Sequence, residues 1–324
     1  MRLQLAALAV SAAFACTPWS ISHAQDYPSR SINVVVPFPA GGPSDVVARI
    51  VTEHMGRTLG QTLVIENVGG AGGTIGSARV AAAAPDGYTL LAGSMGSHVA
   101  APVLTPNLKY DPAKDFVPIG PTAHSPAVIV ARKNFPAKDL KEFIADLKEK
   151  GNGFKQAHGG IGSSSHMACL LFTNAVAATP TAVAYRGTGP AMNDLAGGHV
   201  DFFCEQSVSV TEQVKSGAIK AYAVSADARL ASLPDVPTFE QAGLSVDAGG
   251  FQGVLAPAGT PPEAVAKLSQ ALNAALAQAD VKEKFSAAGL ETVSSTPAEF
   301  AAFIRDEIAK WARVAKEANI KLEQ

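Results

Sequence analysis

Four stretches of this chain set small residues between an apolar run and a helix-like pattern: Gly41-Gly42, Gly72-Gly73, Ser94 to Ser97 and Gly162 to Ser165. Such junctions leave backbone N–H groups unshielded and add hydroxyls beside the positive end of a helix, which is how a chain without cations holds an anion. One such junction is explained equally well by turn geometry. Four, in two similar blocks, point to ligand capture at the carboxyl ends of parallel strands. Phosphate is not indicated: Gly70, Gly72, Gly73 and Gly76 do not space as G-x-G-x-x-G, and no G-x-x-x-x-G-K-[ST] follows a strand. There is no G-x-S-x-G elbow and no H-E-x-x-H, and the seven histidines lack metal-ligand spacing. Hydrolase and metalloenzyme chemistry therefore has no motif, and neither a metal nor a cofactor is expected.

The charged candidates are few. Asp45 follows Gly42 by three residues, where a carboxylate stabilises the first turn of a helix by about 1 kcal/mol. Holding the Gly41-Gly42 loop or accepting from a ligand would be a second role for the same side chain. His98 and His166 each close a serine-rich loop, either as local hydrogen-bonding residues or as donors to a carboxylate. Arg186, after Tyr185, fits a bidentate carboxylate clamp or a surface salt bridge.

The elements that must position these residues alternate. Ser31–Pro37 is a β-branched strand pattern, and Val46, Val47, Ile50, Val51 and Met55 recur at helical spacing after the 38–45 loop. Leu63–Asn67 and Tyr88–Gly93 read as further strands. A second block repeats the theme with strands over 127–131, 153–159, 181–185, 200–204 and 221–225 and a helix over 140–150. This predicts an α/β fold with mainly parallel sheet. After 249–256 the chain is mostly amphipathic helix, with a capping-box pattern at Thr296-Pro297-Ala298-Glu299 and Trp311 on the last apolar face. That tail has little sheet of its own and is expected to return to the first block.

At 324 residues, with 47% hydrophobic and 17% charged residues, the chain suits two packed domains and excludes global disorder. The 26 Lys+Arg against 28 Asp+Glu form no basic cluster, so nucleic acid is not an expected partner. Arg2, the apolar run Leu3–Ala15 and Ser22-His23-Ala24 read as a signal peptide cleaved after Ala24, which implies export. Beyond it, no stretch approaches the roughly 20 apolar residues of a spanning helix. Cys16 leaves with the signal. Cys169 and Cys204 remain, an even pair that suits either a disulfide or two buried thiols.

Tyr27-Pro28, PFPAGGPSDVVAR (37–49), the 71–73 AGG loop, APDGYTLL (84–91), YRGTGPAMNDLAGGHVDF (185–202), LPDVPTFEQAG (233–243) and LAPAGTP (255–261) resemble the extracytoplasmic receptors of the tripartite tricarboxylate transporter family, the Bug proteins. The likeness runs the length of the expected mature chain. It implies a type II periplasmic-binding-protein fold, with 25–123 and 250–324 as one lobe, 124–249 as the other, and a ligand cleft between them. It also implies no enzyme activity, a monomer, and delivery of a small carboxylate to a membrane permease from the periplasm. The ligand set it suggests is Phe38, Ala40, Gly41, Gly42 and Asp45 from the first loop, with Gly162, Ser163, Ser164, Ser165, Arg186 and Gln206 from the facing lobe. Ser94 and His98 join that set from the third strand loop. A Cys169–Cys204 bridge is favoured by the same resemblance. The competing readings are a secreted α/β enzyme acting on a small organic acid and a receptor signalling to a sensor kinase.

Overall fold

Ile32–Val36 (β1) carries four buried β-branched residues around a partly buried Asn33, so both faces are largely covered, as in a strand between two helical layers. Pro43–Leu59 (α1) starts with proline at its first position, where the missing N–H costs nothing, and stops at left-handed Gly60. The computed structural model describes residues 27–246 and 248–317; the expected signal peptide, with its cleavage site and Cys16, lies outside the described residues.

The chain continues through Leu63–Asn67 (β2), Thr74–Ala81 (α2), Thr89–Ser94 (β3), Ala101–Leu104 (α3) and Phe116–Ser125 (β4). It then enters a second sheet through Ala127–Arg132 (β5), Leu140–Lys150 (α4), Lys155–His158 (β6), Ser164–Ala175 (α5) and Thr181–Ala184 (β7). Thr188–Gly197 (α6), Phe202–Gln206 (β8), Ser207–Lys215 (α7) and Ile219–Val224 (β9) complete that block. Gly250–Pro257 (β10) returns to the first sheet, followed by Pro262–Ala277 (α8), Ala279–Ala287 (α9), Glu291–Thr292 (β11) and Pro297–Glu317 (α10). The strand orders are β11-β4-β10-β3-β1-β2 and β7-β6-β8-β5-β9. The fold is thus a pair of α/β sheets, with the chain passing between them once at residue 126 and again between β9 and β10.

The sheets are mixed, which corrects the expectation of mainly parallel pairing. β1 pairs parallel with β2 and β3, and β6 with β7 and β8, but β10 runs antiparallel to both β3 and β4, and β5 to both β8 and β9. The physical reason lies in the passages. β10 arrives from the other sheet rather than through a crossover helix, so nothing forces it into the parallel sense.

Local signals held at the helix ends. Asp139 accepts from the Glu142 amide at 2.8 Å, and Thr296 and Glu299 exchange the reciprocal bonds of a capping box. α8 packs its apolar stripe on α1 and β4, so the late helices do return to the first block, and Trp311 is buried there with Phe300 and Ile304. The second sheet has its own aromatic core, in which Phe143 lies against Phe135, Phe172, Phe202 and Tyr222. Among the described residues, no helix is long and apolar enough to cross a membrane.

Candidate ligand-binding cleft

The carboxyl ends of the two sheets face each other across a cleft with about 510 Å³ of unfilled volume, part of it continuous with solvent. One wall is the loop from β1 to α1, with Phe38, Ala40, Gly42 and Ser44. The other is made by Gly159 and Ser163–Ser165 after β6, Gly187–Pro190 after β7, and Glu205 with Gln206 at the end of β8. Helix starts lie on both sides: Gly42 caps α1, Ser163 α5, Gly187 α6 and Gln206 α7. Four positive helix ends therefore converge on a space whose lining, among the described residues, contains no Lys or Arg.

The two halves meet at the rim through glycines. A Cβ on Gly72 would lie 2.0 Å from the Ile161 carbonyl oxygen, and one on Gly187 2.8 Å from Pro39 Cγ. A Cβ on Gly96 would lie 3.1 Å from the Gly162 carbonyl. Only side-chain-free positions allow the backbones this close.

Residues 47–320 match the family model of the tripartite tricarboxylate transporter family receptor. The chain belongs to that family. Its fold matches the periplasmic binding protein BugD with a TM-score of 0.88 at 41% identity, over 91% of this chain and 99% of that one. MatC from Rhodopseudomonas palustris, solved with bound malate, matches at 0.84 and 43%, over 89% and 99%. The R. palustris protein Rpa4515, solved with adipate, matches at 0.88 and 30%, over 91% and 99%. Such Bug-type proteins are solute-binding receptors rather than enzymes.

In this Bug-type receptor, Phe38, Ala40, Gly42, Ser163, Ser164, Ser165 and Gln206 line the cleft. Gly41, Asp45, Ser94, His98, Gly162 and Arg186 do not. Asp45 holds the loop instead: its carboxylate accepts from the Gly41 amide, from Asn67 Nδ2 and twice from Arg49, each at 2.9 Å. Asn67 also donates to the Phe38 carbonyl, so one cluster around the buried Asp45 carboxylate fixes both ends of the first wall. Burial pushes the Asp45 carboxyl up, but the bonds from Arg49, Gly41 and Asn67 outweigh it and leave it below its ordinary value.

His98 is fully buried. It meets Phe116 edge-on at 4.9 Å and shares a 3.0 Å hydrogen bond with Ser97 Oγ, which also accepts from the Ser94 amide. The 94–98 loop thus turns its histidine into the core, where His98 Nε2 and Ser94 Oγ are buried without a hydrogen-bond partner among the described residues. His166 accepts from the Gly162 amide through Nδ1 and stacks on His158 at 4.4 Å. Arg186 is exposed.

Several lining residues were not legible as a set in the sequence. Thr188 and Glu205 are the most consequential: Thr188 Oγ1 donates to Glu205 Oε2 at 2.8 Å, and the Gln206 amide to Oε1 at 2.7 Å. Burial pushes the Glu205 carboxyl up to about 7 against those two bonds. The available clue was a carboxylate closing the apolar run Phe202-Phe203-Cys204. Ser44 and Gln206 are linked through β10: Ser44 Oγ donates to Gln252 Oε1 at 2.8 Å, and Gln252 Nε2 to Gln206 Oε1 at 3.0 Å. Cys169 on α5 and Cys204 on β8 are bonded, with Cα atoms 5.1 Å apart.

These burials set a pH profile for folding. Burial pushes His98 and His166 down to about 3, with His158 adding to the shift at His166. Their stabilisation is complete above the unfolded value near 6.5 and is lost as pH falls below it. Glu205 runs the other way, contributing fully below its unfolded value near 4.5 and losing its contribution as pH rises through 7. Two histidines outweigh one carboxyl, so stability should rise to a maximum near pH 7 and fall by about 1.4 kcal/mol per pH unit between 6 and 5. Urea midpoints from pH 5 to 8 test this; a flat profile contradicts it.

Proposed function

We propose that this chain is an exported periplasmic receptor that captures a small carboxylate and hands it to a membrane permease of the tripartite tricarboxylate transporter type. The observation that carries the reading is the convergence of four helix N-termini on a cleft lined without cations. A carboxylate placed there gains charge-assisted bonds from backbone amides and serine hydroxyls on both sides. The Ser164 hydroxyl has no protein partner among the described residues and reaches the cleft wall. That relatives of the same fold were solved with malate and with adipate supports a dicarboxylic acid as the guest.

In this reading the chain acts as a monomer, matured by cleavage after Ala24. Residues 25–123 with 250–324 close on residues 124–249 by hinge bending at the two passages between the sheets. A thermal-shift screen over mono-, di- and tricarboxylates tests the class. An acid at a hundred times its Kd adds about 2.7 kcal/mol of stability, and a panel in which no acid shifts the transition overturns the reading.

A further inference from the structure

The cleft of an anion receptor contains one group that repels anions. Glu205 is 1% exposed and lines the cleft, and among the described residues no ammonium or guanidinium is its partner. The bonds acting on it come from Thr188 and the Gln206 amide. On the elements packed around β8, the titratable side chains besides Arg132 are Lys155 and His158 on β6, His166 on α5, Asp194 on α6, and Glu212 and Lys215 on α7, with Lys155 at the start of β6, beside the Phe202 end of β8 and away from Glu205. Glu212 and Lys215 pair with each other, and Arg132 of β5 pairs with Asp201 at the opposite end of the sheet. Beside Glu205, Gln206 is 3% exposed, and its Nε2 has no acceptor among the described residues. The end of β8 therefore offers a carboxyl that accepts and an amide that donates, both buried and both at the cleft wall.

We propose that Glu205 makes this cleft selective for acids that bring a hydrogen-bond donor to their second polar end, so that a dicarboxylate is captured only with one proton. That proton comes from solvent and is held between the ligand's far carboxyl and Glu205, while Gln206 Nε2 donates to the remaining ligand oxygen. A hydroxyl at the far end satisfies the same pair without any proton, since it donates to Glu205 and accepts from Gln206. Two adjacent ionised carboxylates in a water-poor site have no such solution. The inference rests on the carboxylate reading above and names the ligand class within it.

Titration calorimetry tests it with L-malate, adipate and, for each, the analogue whose far carboxyl is replaced by a primary alcohol. Measurements run from pH 7 to 8.5, where the free acids are ionised, in two buffers of different ionisation enthalpy. The Kd of the dicarboxylates is expected to rise about tenfold per pH unit above 7, with one proton taken up per ligand. The alcohol analogues bind with little pH dependence. Glu205→Gln abolishes the proton uptake, and Thr188→Val, which removes a donor that favours the ionised carboxyl, moves the onset to higher pH. Proton uptake by the unmodified protein decides the matter even if Glu205→Gln does not fold. Dicarboxylate binding that is flat above pH 7 and takes up no proton overturns the role of Glu205 and leaves the carboxylate reading intact. Failure of every acid to bind at any pH overturns both.

Discussion

Gly72→Ala is expected to weaken capture of the acid giving the largest thermal shift by roughly a hundredfold while the protein stays folded. The added methyl would sit 2.0 Å from the Ile161 carbonyl oxygen, a backbone atom that cannot turn aside. The 71–73 loop and the 160–162 loop must therefore part, and the amides and hydroxyls of one wall withdraw from a ligand held by the other. Losing two charge-assisted bonds of about 1.5 kcal/mol each accounts for the fall. Backbone strain is separated by Gly41→Ala, which also sits at positive φ but whose Cβ would meet nothing within 4 Å. That variant should bind within about tenfold of the unmodified protein, since strain alone is worth roughly 1 kcal/mol. Equal losses in both variants would show that closure at Gly72 is not the cause. Small-angle scattering should show ligand-induced compaction in the unmodified protein and none in Gly72→Ala.

The second large effect concerns stability. Replacing both Cys169 and Cys204 with alanine is expected to cost about 4 kcal/mol, because the bridge spans 35 residues and closes a loop in the unfolded chain. Against the 5–15 kcal/mol typical of native proteins, that is a large share. The bridge also ties the helix carrying Ser165 to the strand carrying Glu205 and Gln206, so ligand affinity should fall along with the urea midpoint. A change below 1 kcal/mol in the double variant, with thiol titration confirming an oxidised parent, would contradict this account.

Much of the architecture is a local property of the chain. β-Branched runs make β1 and β5, proline and glycine punctuate α1, and Thr296 with Glu299 starts α10; each decision involves residues a few positions apart. β4 and β10 were harder to read. Pro118, Pro121, Gly250 and Gly253 interrupt their patterns, and both strands are stabilised by pairing with partners over 120 residues away. The alternation of strands and helices also predicted parallel pairing, but the sense of β5 and β10 depends on how the chain enters each sheet.

The cleft divides along the same line. By itself the sequence determined where the glycine and serine loops fall and that each abuts a strand end or a helix start, because backbone exposure at such junctions follows from residue size. Only the tertiary structure decided which loops face one another. The 94–98 and 162–166 segments share a composition, yet the first folds its serine and histidine inward beneath Phe116 and the second presents its hydroxyls to the cleft. Gly96 packed against Gly162 and Ser164 closes off the former, a contact across more than 60 residues that no local pattern encodes. Glu205 acquires its character in the same way: a carboxylate at a strand end is ordinary until the surrounding sheet, Thr188 and the opposing loop remove the water from it.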